Sequence, residues 1–186
     1  VQTCALPISN FLVWLMVDDL EHGRRVIHES LAQQAKPQEP LSEVLNAFDQ
    51  AMQERAISYF FPSYDLEDQL SVSANEAWAL SADRLNSASQ RYAADGWFAI
   101  RVFKASDGQV RGAWVYQQMG KRIMDDFQGE SLFDLMADSV DSVLDTLLRT
   151  HTYIPQLETN LLLAQIEGVE NFATYQLAED QLEKLE

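Results

Sequence analysis

The sequence predicts an α/β chain (α+β mixed): a mixed parallel and antiparallel sheet with helices packed on it. Three observations lead there. The longest apolar run, residues 11–17 (FLVWLMV), has the length and content of a strand buried on both faces, and it ends at Asp18-Asp19. Strand–helix–strand alternation follows, which implies parallel pairing with right-handed crossovers. Two alternating runs, 97–104 and 110–118, then flank Ser106-Asp107-Gly108, a strong hairpin signal that adds antiparallel strands. The predicted order is β-α-β-α-β-β-β-α, followed by a β-α unit.

Each element has a local reason. Residues 20–40 are polar and broken by Gly23, Pro37 and Pro40, so they read as a long loop with room for one short helical turn. From 41 to about 56 the apolar positions Leu41, Val44, Leu45, Phe48 and Met52 follow the helical period. Residues 57–64 (ISYFFPSY) read as a second buried strand whose ladder Pro62 ends. Ser73 and Glu76 form a capping box, opening a helix that the pattern carries to about Ala93. After the hairpin, Met119-Gly120-Lys121 is a second turn and 122–128 a third antiparallel strand. Ser131 with Asp134 caps the next helix, whose seam is Leu132, Leu135, Met136, Val140, Val143, Leu144, Leu147 and Leu148. Burial of each large seam residue contributes about 1.5–3 kcal/mol before entropy is charged. Beyond Pro155, residues 161–166 read as a strand and 172–185 as a helix without a C-cap. The expected organisation is therefore a main unit over 9–155 and a β-α piece, 156–186, of a truncated second unit.

Composition narrows the function classes. The 186 residues carry 13 Lys+Arg against 29 Asp+Glu, a formal charge of −16, with 47% hydrophobic content. A chain this apolar can offset its ordering entropy, and its length suits a sizeable core. A pI of 4.4 argues against nucleic acid and anionic lipid as partners, since both need clustered Lys and Arg. The apolar run is far short of the roughly 20 residues of a membrane span. Residues 1–8 (VQTCALPI) look like an in-frame translated sequencing adapter and are expected to lie outside the fold. The single cysteine, Cys4, falls among them, which removes disulfides, Cys nucleophiles and thiolate metal sites from consideration.

Several segments carry a family resemblance. Trp14-Leu15-Met16-Val17-Asp18-Asp19, Pro62-Ser63-Tyr64-Asp65-Leu66-Glu67-Asp68 and Ala88-Ser89-Gln90-Arg91-Tyr92-Ala93-Ala94-Asp95 occur in that order, with Arg101 and Trp114 on the hairpin. Together they resemble a bacterial family known only as domain of unknown function 2066, over roughly residues 11–186. The resemblance implies an exported, envelope-facing (periplasmic) protein of Gram-negative bacteria, with a signal peptide upstream, and it implies no known activity. The element order also looks like the modules of the N-terminal part of TolB and of lipoprotein activators of penicillin-binding proteins, a likeness of fold alone.

The site candidates follow from spacing. Asp18 and Asp19 end the first strand, and Asp65, Glu67 and Asp68 follow the second. If those strands are parallel neighbours, five carboxylates gather at the C-terminal edge of the sheet, where open α/β sheets bind ligands. Oxygen-rich sites suit Ca²⁺ or Mg²⁺, and paired carboxylates can do acid–base work. The plainer reading is that they end strands and cap turns. His22, Arg24, Arg25 and His28 match no helical metal-ligand spacing and read as a solvated loop. Arg91 or Arg101 with Asp95 reads as a structural ion pair. Asp134, Asp138, Asp141 and Asp145 form an acidic stripe opposite the leucine seam, either a solvated face or a docking face for a basic partner. Leu144→Ala is expected to open a cavity and Asp141→Ala to be neutral or slightly stabilising. No Gly-x-Ser-x-Gly elbow or nucleotide-binding glycine pattern occurs, so the expectation is a non-enzymatic interaction module without a cofactor, which the family resemblance implies to be in the envelope. The alternative is a small-ligand or cation-binding domain using the strand-end carboxylates.

Overall fold

Strand β1 (Asn10–Asp19) is the axis of the sheet in the computed structural model, which describes residues 10–19, 23–35 and 40–151. Its odd residues Phe11, Val13, Leu15 and Val17 enter one core and its even residues Leu12, Trp14 and Met16 enter another. Burial on both faces is why its sequence shows no alternation. One edge of β1 pairs in parallel with β4 (Gly96–Lys104) along most of its length. The other edge is shared. β3 (Ser58–Phe60) runs parallel to residues 10–12, and β2 (Gly23–Val26) runs antiparallel to residues 16–19. β5 (Val110–Gln118) and β6 (Lys121–Gly129) continue from β4 as antiparallel hairpins, giving the order β2-β1-β4-β5-β6. The fold is thus a mixed sheet with helices, as the patterning predicts.

Two long helices cover the odd face. α2 (Pro40–Glu54) opens on proline, whose missing N–H has no intrahelical acceptor to lose, and buries Leu41, Val44, Phe48, Ala51 and Met52. α6 (Leu132–His151) buries Leu132, Met136, Val140 and Val143, with Leu135 and Leu144 partly buried against the same core. Gly112 on β5 allows a close approach on this side. A Cβ there would lie 2.2 Å from the Arg101 carbonyl oxygen and 2.3 Å from the Phe127 ring.

The even face carries three short helices, α3 (Leu66–Ser71), α4 (Ala74–Trp78) and α5 (Ala82–Ser89). The capping box at Ser73 and Glu76 is present, but the helix it opens stops at Trp78 instead of running to Ala93. Ser81 N–H donates to the Glu76 carbonyl and Leu80 N–H to that of Ala77, with Leu80 left-handed at φ +52°. That is a Schellman stop made without glycine.

Other expectations are also corrected. The stretch read as a loop contains β2, besides the short helix α1 (Glu29–Gln34). Its four residues, GRRV, are too few to show a period. The second strand is only three residues long, and the chain after it enters α3, a helix absent from the predicted order. Residues 1–8, the boundary at 155, and the elements expected at 161–166 and 172–185 lie outside the described residues.

Candidate functional site

Three of the five carboxylates singled out in the sequence, Asp65, Glu67 and Asp68, meet at the joint between α3 and the end of α5. Asp65 is extended at φ −73° and caps α3, its Oδ1 accepting the Glu67 and Asp68 N–H groups at 3.1 Å each. Arg91, just past the end of α5, grips the same carboxylate with both terminal nitrogens. Nη1 donates to Asp65 Oδ1 at 2.6 Å and Nη2 to Oδ2 at 2.9 Å. Nη1 also donates to Asp68 Oδ1 at 3.3 Å and lies 3.6 Å from Glu67. The Asp68 side chain is fully buried, at 0% exposure, so its charge needs these partners. Tyr92 supplies the other. Its phenol donates to Asp68 Oδ2 and accepts the Ser63 N–H at 2.9 Å, with Ser63 Oγ 3.0 Å away.

The electrostatics define what this cluster can do. The Arg91 guanidinium, then the backbone N–H of Asp68, hold the Asp65 carboxyl down at about 2. Burial, then the bond to Asp68, pushes the Tyr92 phenol above its usual range. Tyr92 therefore keeps its proton at neutral pH and is no base for the neighbouring Ser63 hydroxyl. Fork geometry, a helix cap and a buried acceptor describe a joint that fixes α3 against α5.

Asp18 does not join this group. β1–β2 register places it opposite Arg24, whose Nε lies 3.3 Å from Asp18 Oδ2 and whose guanidinium sits 5.0 Å over the Trp78 ring. Asp19 pairs in register with Gly23. The expected edge is therefore divided, Asp18 going to Arg24 and Asp65, Glu67 and Asp68 to Arg91, and no group of three His, Cys, Asp or Glu among the described residues is placed to hold a metal ion. Arg24 and Arg25 lie on β2 and His28 stacks on Tyr64 at a centroid distance of 6.4 Å, in place of the expected loop; His22 lies outside the described residues.

The expected Arg91 or Arg101 to Asp95 pair is also corrected. Asp95 accepts the Asn10 N–H at 3.0 Å, while Arg101 donates to the Trp78 carbonyl at 3.0 Å, halfway along β4. Arg101 pairs in register with Met16, whereas Gly96, the neighbour of Asp95, pairs with Phe11, so the strand holds them apart. On α6, Asp134, Asp138, Asp141 and Asp145 are all exposed, as the stripe predicts. Asp141 is not merely solvated. Arg55, at the end of α2, clamps it through Nε and Nη2, the latter at 2.7 Å, and holds its carboxyl below the usual range.

Residue pattern alone missed Tyr92, Ser63, Arg24 and Arg55 as partners. A signal existed for the first two, because the segments 62–68 and 88–95 that carry the family resemblance touch each other here. Trp14, in the remaining segment, donates its indole N–H to Ser89 Oγ at 2.9 Å.

No family model and no curated protein matches the chain. Among solved structures, one titled "Crystal structure of uncharacterized protein" is similar at 13% identity, over 78% of this chain and 94% of that one, with a TM-score of 0.25. A likeness that weak carries no argument. No helix among the described residues is long and apolar enough to cross a membrane.

Proposed function

We propose that the chain is a non-enzymatic interaction module of the bacterial envelope that docks a basic partner on the outer face of α6. One contrast supports this reading. The carboxylates after β3 are bound to Arg91, whereas Asp134, Asp138 and Asp145 stand exposed on α6 opposite its buried seam. Helix α6 itself carries four aspartates against one arginine, so the field along that face is negative and attracts a cationic surface. The envelope location rests on the resemblance to domain of unknown function 2066.

A fluorescent decalysine peptide, followed by anisotropy at low and physiological salt, tests the docking face. Replacing Asp134, Asp138 and Asp145 by Asn is expected to weaken binding roughly tenfold or more. Neutralising Glu29, Asp125 and Asp126, the same number of charges elsewhere, is expected to weaken it far less. Equal losses in the two triple variants would reduce the attraction to net charge and refute a docking face.

A further inference from the structure

At the end of the sheet where the parallel strands β1 and β4 begin, a cleft of about 220 Å³ opens between α5, the start of β4 and the β5–β6 turn. Its polarity is fixed by a chain of hydrogen bonds. Trp97 Nε1 donates to Asn86 Oδ1 at 3.2 Å, and Gln117 Nε2 donates to the same oxygen at 2.9 Å. Arg122 Nε in turn donates to Gln117 Oε1 at 3.0 Å. An indole and a guanidinium can only donate, so both amides must turn their oxygens to these partners. Tyr116 Oη donates to Gln118 Oε1 at 2.7 Å. The amide capacity left over, on Asn86 Nδ2 and Gln118 Nε2, is all N–H donor and without a partner among the described residues.

Asp95 supplies the opposite function on the same wall. It is locked to Asn10 by two bonds, its Oδ2 accepting the Asn10 N–H and its own N–H donating to the Asn10 carbonyl at 3.3 Å. Its Oδ1 is left as an acceptor. Met119 stands at the mouth. It is 80% exposed and left-handed at φ +49°, the first of two central turn residues with Gly120 at φ +78°. Asn or Gly is the favoured residue there, and an exposed thioether gains nothing from burial. A residue unfavourable in both conformation and exposure, beside a built polar cleft, is the kind of outlier from which function is inferred.

We propose that this cleft binds a neutral saccharide. Amide donors beside a carboxylate acceptor match hydroxyl groups, which both accept and donate. The Asp95 charge opposes an anion and the amide N–H groups oppose a cation. Met119 offers an apolar wall to the C–H face of a sugar ring, and the volume suits one ring better than a drug-sized ligand. The site is independent of the α6 face.

The test is titration of the full chain with glucose and with N-acetylglucosamine into the tens of millimolar, read on the side-chain amide and indole N–H resonances. Saturable shifts of Asn86, Gln118 and the Trp97 indole are expected, with none from inorganic phosphate at equal concentration. Gln118→Ala and Met119→Asn should each weaken binding roughly fivefold or more, by removing a donor or the apolar wall. Asn suits the left-handed turn, so Met119→Asn should not lower the melting temperature. No saturable shift with either sugar, undiminished binding in both variants, or an equal response to phosphate would overturn the proposal.

Discussion

On the odd face of the sheet, α2 and α6 bury Phe48, Met52, Met136 and Val140 against Phe11, Val13, Leu15 and Ile100. On the even face, α3, α4 and α5 surround three tryptophans that are tied by polar bonds. Trp14 donates to Ser89, Trp97 donates to Asn86, and the Trp78 carbonyl accepts from Arg101. Fully buried Asp68 lies on this side too, held by Arg91 and Tyr92. The first face is stabilised by apolar area, which is large and forgiving of detail. The second relies on hydrogen bonds whose net worth is small but whose loss leaves a polar group stranded. Apolar burial can hold a sheet together without placing a side chain to within an ångström. The bonded face can, and it carries both the Arg91 joint and the amide-lined cleft.

The comparison breaks first if the apolar face is not the stronger. Met136→Ala, a fully buried residue on α6, should cost about 2–5 kcal/mol in denaturant unfolding. Leu144→Ala should cost less, because Leu144 is only partly buried; an equal loss would mean that the inner line of α6 is misplaced. Next comes the bonded face. Ser89→Ala removes almost no volume yet strands the Trp14 indole N–H in the core, and should cost about 1–3 kcal/mol. A cost near zero would show that this bond does not matter.

Acid sharpens the comparison further. The folded Asp65 carboxyl titrates at about 2 against an ordinary 3.8, so its contribution is complete above the higher value and is lost as pH falls towards the lower. Thermal unfolding across that window should therefore show a decline that Asp65→Asn flattens, together with a lower melting temperature for the variant at neutral pH. Parallel curves would remove Asp65 from the joint. The smallest effect belongs to the surface. Asp141 is 56% exposed but clamped by Arg55, so Asp141→Ala should cost about 0.2–1 kcal/mol, a loss that added salt diminishes. This reverses the neutral or stabilising outcome expected from charge spacing alone, and a gain in stability would restore that expectation.

What was legible in the sequence was local. The apolar run of β1, the hairpin turns at Gly108 and Gly120, and the seam and acidic stripe of α6 are each marked within a short stretch of the chain. What escaped it lacked a local mark. Leu80 and Ala56 both close helices in the left-handed conformation, positions where glycine would have announced the stop. The partner of Arg91 was sought in Asp95, four residues on, whereas it is Asp65, which only the folding of α3 onto α5 brings near. Arg55 and Asp141 lie 86 residues apart, and no spacing rule reaches across that distance.

The division of labour between the faces is tested most directly by native-state hydrogen exchange on the wild type, Met136→Ala and Ser89→Ala. If the bonded face opens on its own, α3–α5 amides exchange at a lower free energy than those of β1, β4, α2 and α6. Met136→Ala should then lower protection only in β1, β4, α2 and α6, because Met136 stays packed when the other face opens. Ser89→Ala should lower protection in both groups, since it weakens the native state relative to either opening. An equal loss of protection in both groups on Met136→Ala would show one cooperative unit and contradict the account.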